Sequence, residues 1–393
     1  MQSGSGWWPT FLSGGTDSSL VVALMQKQSA SPVRSYSIGF AEREYDEAPF
    51  AKAVAAHLGT DHTELYVSAD DALGVVPDLA THYDEPFADS SQIPTLLVST
   101  LTRRHVTVAL SGDGGDELFA GYTRYHWAEM VRHRFMGWPP AARRAMASAL
   151  DAVPRAVWET GAALVPGRRY QRVGERVGKL ANFLRAPDAD AIYRGQHSQW
   201  PDPSALVIGG REPRGLPFDA TLAAEIPDFV RRMQFLDLHT YLPDDILTKV
   251  DRASMAVSLE AREPLLDHRL VEFAWHLPQR MKVRNGVTKW LMREVLYRHV
   301  PRKLIERPKM GFSVPLARWL RGPLRQWAEA LLDPVRLRDG GHFDTVKVRS
   351  AWQSFQSGRT SNQDALWCLL MFEAWRDRYA QRPVVQPSAA GTR

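Results

Sequence analysis

The chain has 393 residues, 44% of them hydrophobic and 24% charged, and a net charge of +5, enough for one large core or two to three domains. Its single cysteine, Cys368, excludes an intrachain disulfide and a multi-cysteine metal site, and its apolar helical surroundings read as a small buried hydrophobe. No run reaches the ~18 apolar residues of a membrane span and no signal peptide opens the chain, which points to a cytoplasmic location with no membrane partner. The arginines Arg168, Arg169, Arg172 and Arg176 are interleaved with other residues, as on a solvated helix face. There is no dense basic stripe, so nucleic acid is not expected as a partner.

In chain order, Phe11 and Leu12 lead through a Gly-Gly turn into a helix carrying Leu20, Val21, Val22, Leu24 and Met25. Val33 to Ile38 reads as a strand. Ala48, Ala51, Val54, Ala55 and Leu58 fall at helical spacing, with Gly59 closing that helix. His62 to Val67 alternates like a strand, Leu96 to Leu101 continues a helix, and Val106 to Leu110 is a short apolar run. Strand–helix repetition with nearly continuous apolar strands predicts a doubly wound α/β fold around a parallel sheet. Residues 1–125 are expected to form this core. Residues 126–240 are expected as a helical insertion, 241–382 as a mostly helical C-terminal part completing the site, and 383–393 as a disordered tail.

The strongest local signal is Ser13-Gly14-Gly15-Thr16-Asp17-Ser18-Ser19, directly after a strand and opening a helix. Two glycines let backbone approach a ligand, hydroxyls and helix-start N–H groups donate, and the helix dipole favours an anion. A plain Gly-Ser turn with an N-cap would contain the same residue types; the strand–loop–helix setting favours a pyrophosphate cradle. No Lys-Ser/Thr follows the glycines, so this is not a Walker A loop and another cation must neutralise phosphate, with Asp17 able to hold Mg²⁺. The loop resembles the signature of the PP-loop ATP pyrophosphatases, which cleave ATP between its α- and β-phosphates and adenylate a substrate.

A second loop, Ser111-Gly112-Asp113-Gly114-Gly115-Asp116-Glu117-Leu118, repeats the strand, Gly-rich turn and helix order. In an open α/β sheet both loops would face one crevice off the carboxyl ends of the strands. Asp113 and Asp116, three apart, share a helical face; an acidic first turn complementing the dipole is the plainer alternative. With Asp84-Glu85-Pro86-Phe87-Ala88-Asp89-Ser90-Ser91, Tyr241 to Met255, Leu259 to Asp267, Lys289 to Arg293 and Arg307 to Phe312, the order of motifs from Phe11 to Arg376 resembles the synthetase part of the asparagine synthetase family. The resemblance implies ATP, Mg²⁺, L-aspartate and ammonia as ligands, with β-aspartyl-AMP as intermediate. It places backbone at Leu12 and Ile38 beside adenine and ribose, and Ser13, Gly14, Gly15, Ser18 and Ser19 around pyrophosphate. Asp17 and Asp116 would hold Mg²⁺, and Ser111 and Gly112 would line the nucleotide pocket. Asp113 would assist amination, Lys289 would supply the missing cation, and Asp89, Ser90 and Ser91 would meet the acyl substrate. A fixed ammonium suits a leaving pyrophosphate, although spacing alone leaves Lys289 a solvated helix lysine. Lys309 and Arg252 are weaker candidates. Asp251, Arg252, Glu260, Arg262 and Asp267 read equally as an ion-pair network, and His126, His268 and His299 as structural or solvent-facing.

Glutamine-dependent members of that family carry a glutaminase whose cysteine follows the initiator Met. Here residue 2 is Gln and the phosphate loop begins at Ser13. The expected nitrogen source is therefore free ammonia, a separate glutaminase subunit or an amine. Trp7-Trp8-Pro9-Thr10 is an awkward central strand because it contains proline. Rival readings are a β-lactam synthetase-like or peptide-cyclising ligase with a changed acceptor, a tRNA-modifying relative, or an inactive nucleotide-binding remnant. A homodimer is compatible with all of them.

Overall fold

The computed structural model describes residues 8–40, 46–154, 157–158, 160, 173–200, 202–306 and 314–379. Trp7, Arg168, Arg169, Arg172, the Arg307–Phe312 motif with Lys309, and the tail 383–393 lie outside the described residues.

Five parallel strands form one sheet in the order β3-β2-β1-β4-β5. They are β1 (Thr10–Phe11), β2 (Arg34–Phe40), β3 (Asp61–Val67), β4 (Val108–Leu110) and β5 (Glu260–Arg262). The chain winds outward from β1 to β3, then returns to place β4 on the other side of β1. The winding direction thus reverses between β1 and β4, which is where doubly wound sheets open a crevice for ligands. Both Gly-rich loops leave the sheet at these two strands.

The proline before β1 is accommodated by shortening. Pro9 offers no N–H, but its carbonyl accepts from Leu110 N at 2.8 Å, and the paired segment starts one residue later. Thr10 is fully buried between Ser35 and Leu110, and its hydroxyl donates to the Leu110 carbonyl at 3.1 Å. A central strand of two residues therefore still joins both halves of the sheet.

β5 amends the mostly helical reading of residues 241–382. Glu260, Ala261 and Arg262 pair in parallel with Val108, Ala109 and Leu110. Three residues with two charges carry no strand periodicity; β5 exists because β4 offers an open edge, and pairing supplies what propensity does not. The 241–382 segment thus contributes a strand to the core sheet.

Helices cover both faces. One core gathers Ile38, Phe40 and Ile93 with Trp319, Trp352 and Trp367 of the C-terminal helices. The other packs helix Thr16–Gln28, through Leu20, Val21 and Met25, against Met292, Leu296 and Val300. A third cluster, with Tyr125, Tyr193, Phe229 and Met233, belongs to the helices after the second Gly-rich loop. Helix Phe229–His239 reaches back to that loop: the Gln234 side-chain amide donates to the carbonyls of Glu117 and Leu118 at 2.5 and 3.1 Å. Cys368 is half-buried in helix Gln363–Tyr379, where burial pushes its thiol up to about 11. Among the described residues, no helix is long and apolar enough to cross a membrane.

Candidate active site

The first loop is built on backbone contact. Gly14 has φ +73°, and a Cβ there would lie 2.8 Å from Phe50 C and Ala51 N. The loop therefore rests on the first turn of helix Ala48–Leu58, at a distance only glycine allows. Ser13 Oγ accepts from Gly15 N at 3.2 Å and meets Ser18 Oγ at 3.0 Å, which closes the turn. Helix Thr16–Gln28 starts at Gly15 with no side-chain cap, so its first N–H groups and positive dipole end face the cleft.

The second loop lies against the first. A Cβ on Gly112 would sit 2.7 Å from Ser18 N and 3.0 Å from Ser18 Cα. Gly115 meets the Asp17 carboxylate in the same way. Gly114, at φ +93°, turns the chain into the short helix Gly115–Leu118.

Lys289 joins the two loops. It is 4% exposed, at φ +53°, and its N–H donates to the Phe119 carbonyl at 3.2 Å. Its ammonium pairs with Asp17 of the first loop and, at 2.8 Å, with Asp116 of the second. Burial works against that charge, but Asp116 and Asp17 outweigh it and hold the lysine above its ordinary range. Gly121 leaves room for this arm, since a Cβ there would collide with Lys289 Cε.

These parts line one cleft of ≈ 820 Å³. Its lining includes Leu12, Ser13, Gly14, Gly15, Asp17, Ser18 and Ile38 of the first half of the sheet, Ser111, Gly112, Asp113 and Asp116 of the second loop, Lys289, and Asp89, Ser90 and Ser91. Ser19 is the exception. One residue beyond Ser18 it has turned about 100° round the helix, and it is fully buried away from the cleft. Arg252 also lies off the cleft, paired with Asp84 at 2.8 Å. The suspected ion-pair network resolves into local pairs: Arg252 with Asp251 at 3.8 Å, Arg262 with Glu260 at 2.5 Å, and Asp267 with Arg269 at 2.8 Å.

Sequence reasoning passed over Lys249. It is 8% exposed, lines the cleft, and pairs with Asp89 at 2.7 Å. A short π-helix over Leu242–Leu247 precedes its helix, Thr248–Met255. Such bulges re-aim side chains near functional sites. A lysine among Ile246, Leu247 and Val250, four residues after Asp245, was the available signal.

Several carboxyls here are held above their usual range. Burial raises Asp113, opposed by Lys249. Burial with Asp89 pushes Asp245 up to about 7, and burial with Asp113 does the same to Glu263. Glu117, 1% exposed, is raised to about 7 by burial, although the Tyr122 hydroxyl donates to it at 2.6 Å. The folded state therefore keeps the Glu117 proton up to about pH 7, while the unfolded chain releases it near 4.5. Stability from this group is full below about pH 4.5 and is lost as pH rises to about 7. Glu117→Gln keeps the Tyr122 bond and removes the ionisation cost, so it should stabilise by on the order of 3 kcal/mol at pH 8 and under about 1 kcal/mol at pH 5. Urea unfolding at both pH values checks this; equal gains would show that Glu117 ionises normally.

A family model described as asparagine synthase matches residues 9–377. The chain belongs to the asparagine synthase family. A putative glutamine-hydrolysing asparagine synthetase of Mycobacterium tuberculosis is 33% identical over 377 residues, covering 95% of this chain and 55% of its own length. Glutamine-hydrolysing asparagine synthetase 1 of Bacillus subtilis is 29% identical over 366 residues, 93% of this chain and 55% of its own. Amidase chyE of Penicillium rubens is 23% identical over 382 residues, with 87% and 54% covered. The chain thus spans about half the length of the curated relatives it matches. Within the asparagine synthase family match fall both Gly-rich loops, the Asp89 loop, Lys249 and Lys289.

Proposed function

We propose that this chain is an ATP-dependent carbon–nitrogen ligase that adenylates the side-chain carboxylate of L-aspartate and passes the acyl group to ammonia. The observation that carries this reading is a buried lysine bridging carboxylates from two Gly-rich loops at the reversal point of a parallel sheet. A carboxylate oxygen of aspartate attacks the α-phosphorus, the bond to the bridging oxygen of the β-phosphate breaks, and pyrophosphate leaves. Ammonia then attacks the acyl carbon, AMP leaves with the C–O bond electrons, and a proton is released to give asparagine.

The residues divide this work. Ser13, Gly14, Gly15 and Ser18, with the uncapped helix start, receive the β- and γ-phosphates, while backbone at Leu12 and Ile38 borders the nucleoside. Lys289 stabilises the charge that grows on departing pyrophosphate. Asp113, half-buried and held above the ordinary carboxylate range by burial, accepts the ammonia-derived proton in this reading. Among the described residues, no group of three or more His, Cys, Asp or Glu could hold a metal by itself. Asp17 and Asp116 fit Mg²⁺ as a pair, because that ion commonly takes one or two carboxylates and completes its shell with phosphate and water. Bound there, Mg²⁺ would neutralise phosphate charge, and the two carboxylates would no longer depend on Lys289 alone. Nitrogen is taken as ammonia.

The test is pyrophosphate release from ATP with aspartate and ammonium, with and without Mg²⁺. Release should require both aspartate and Mg²⁺, and asparagine should form in equal amount. ATP binding without release would overturn the aspartate assignment. Release with a different carboxylate would move the chain toward a ligase with a changed acyl substrate, as in β-lactam-forming or peptide-cyclising relatives.

A further inference from the structure

The cleft holds two buried lysines, and phosphate chemistry accounts for only one. Lys289 is answered by the loop carboxylates Asp17 and Asp116. Lys249 stands with Asp89, whose acceptors are heavily used: one oxygen takes Ser91 N at 2.8 Å, and the other takes Ser91 Oγ and Lys249 Nζ, each at 2.7 Å. An ammonium has three N–H groups, and this pair accounts for one of them.

The surroundings of Lys249 carry both signs. Asp113 and Asp245 both act on its charge, and Asp245 also hydrogen-bonds Asp89. A lone anion entering here would meet Lys249 but also these carboxyls. A lone cation would meet the carboxyls but also Lys249. A zwitterion answers both without adding net charge to a buried site, where an uncompensated charge is costly. Lys249, Asp89 and Asp113 line the same cleft as the phosphate loops, so a group held here can present a further carboxylate toward ATP.

Building on the adenylation reading, we propose that Lys249 receives the non-reacting α-carboxylate of an α-amino dicarboxylic acid, with Asp113, which lines the same cleft, facing its ammonium. Asp89 and Ser91 orient the lysine. The site then selects an amino-acid head, and the side-chain carboxylate is left as the only one that reaches phosphorus.

The test measures pyrophosphate release with aspartate, succinate and 3-aminopropanoate, the last lacking the α-carboxylate. The parent protein should prefer aspartate over 3-aminopropanoate by about 10–100-fold in kcat/KM, as expected for one charge-assisted contact. Lys249→Met should raise KM for aspartate by about the same factor and bring the ratio to within about three-fold of unity, with KM for ATP within about two-fold of the parent. Lys249→Arg should recover part of the preference. Because Lys249→Met leaves the half-buried Asp89 without its cation, the double variant Lys249→Met with Asp89→Asn is measured beside it. Its thermal shift with ATP–Mg²⁺ reports folding, and its ratio should also approach unity.

Persistence of the parent ratio in either Met variant overturns the proposal. So does an unchanged KM for aspartate with a fall in kcat alone. If the parent accepts 3-aminopropanoate as readily as aspartate, this assignment fails while adenylation stands. If ATP binds and no carboxylate triggers release, the adenylation reading fails and takes this one with it.

Discussion

Lys289→Met should lower aspartate-dependent pyrophosphate release by about 10²–10³-fold, the range found when one preorganised donor to a developing charge is removed. The sign follows from the local charges. Lys289 with Asp17 and Asp116 forms a cluster of net charge −1 at the mouth of the phosphate loop. Without the lysine the same place carries −2 and faces a polyphosphate that becomes more negative as the α–β bond breaks. The loss should fall on kcat more than on KM for aspartate, because the charge at issue develops in the transition state. Structure must be monitored as well. Breaking a buried ion pair from one side costs about 3–5 kcal/mol, so the melting temperature will drop, and a thermal shift with ATP–Mg²⁺ is needed to show that the folded protein still binds nucleotide. Lys289→Arg separates charge from shape: its larger fork does not fit the space left by Gly121, where even a Cβ collides with the lysine arm. It should recover little activity. Parent-like turnover in Lys289→Met would remove this residue from the chemistry.

How much of this was legible in the sequence depends on whether the cause was local. The two Gly-rich loops were, because the need for glycine is written where it acts: Gly14 on the turn before a helix, Gly112 and Gly115 after an apolar run. Four strands were legible for a similar reason: Val106–Leu110 carries the apolar continuity of a strand covered on both faces, and His62–Val67 the alternation of a half-covered one. β5 was not, because its strand state is set by the edge of β4 rather than by Glu260, Ala261 and Arg262 themselves. Nor was Lys249. Its partner Asp89 is 160 residues away, so its apolar neighbours Ile246, Leu247 and Val250 hint at burial but do not point to the carboxylate that pairs with it. Lys289 is separated from Asp17 by 272 residues and was reached only through family resemblance. Ser19 shows the reverse error. It stands in the motif, but helix geometry sends Ser18 and Ser19 to different sides, a constraint that the 3.6-residue period already contained.

Gly112→Ala should disable nucleotide binding while leaving the fold in place, because the added methyl meets backbone and not a side chain that can swing away. The ideal Cβ lies 2.7 Å from Ser18 N and 3.0 Å from Ser18 Cα and Asp17 C. Those atoms belong to the first turn of helix Thr16–Gln28, which is fixed behind by Leu20, Val21 and Val22 in the core. Relief therefore requires the two loops to part by several tenths of an ångström, and overpacking of this kind costs about 1–3 kcal/mol. The same displacement moves the helix-start N–H groups and Asp17 away from Asp116 and Lys289. Hydrogen bonds and ion pairs weaken steeply with such shifts, so affinity for ATP–Mg²⁺ should fall by at least about 10-fold and pyrophosphate release by about 100-fold or more. Gly59→Ala is the control. Its φ of +72° strains an alanine, but nothing lies within 4 Å of the new Cβ. It should cost about 1 kcal/mol of stability and leave nucleotide affinity unchanged. Isothermal titration with ATP–Mg²⁺ and a non-reacting carboxylate separates the two variants. Equal affinities in Gly112→Ala and Gly59→Ala would show that contact between the loops does not shape the phosphate site.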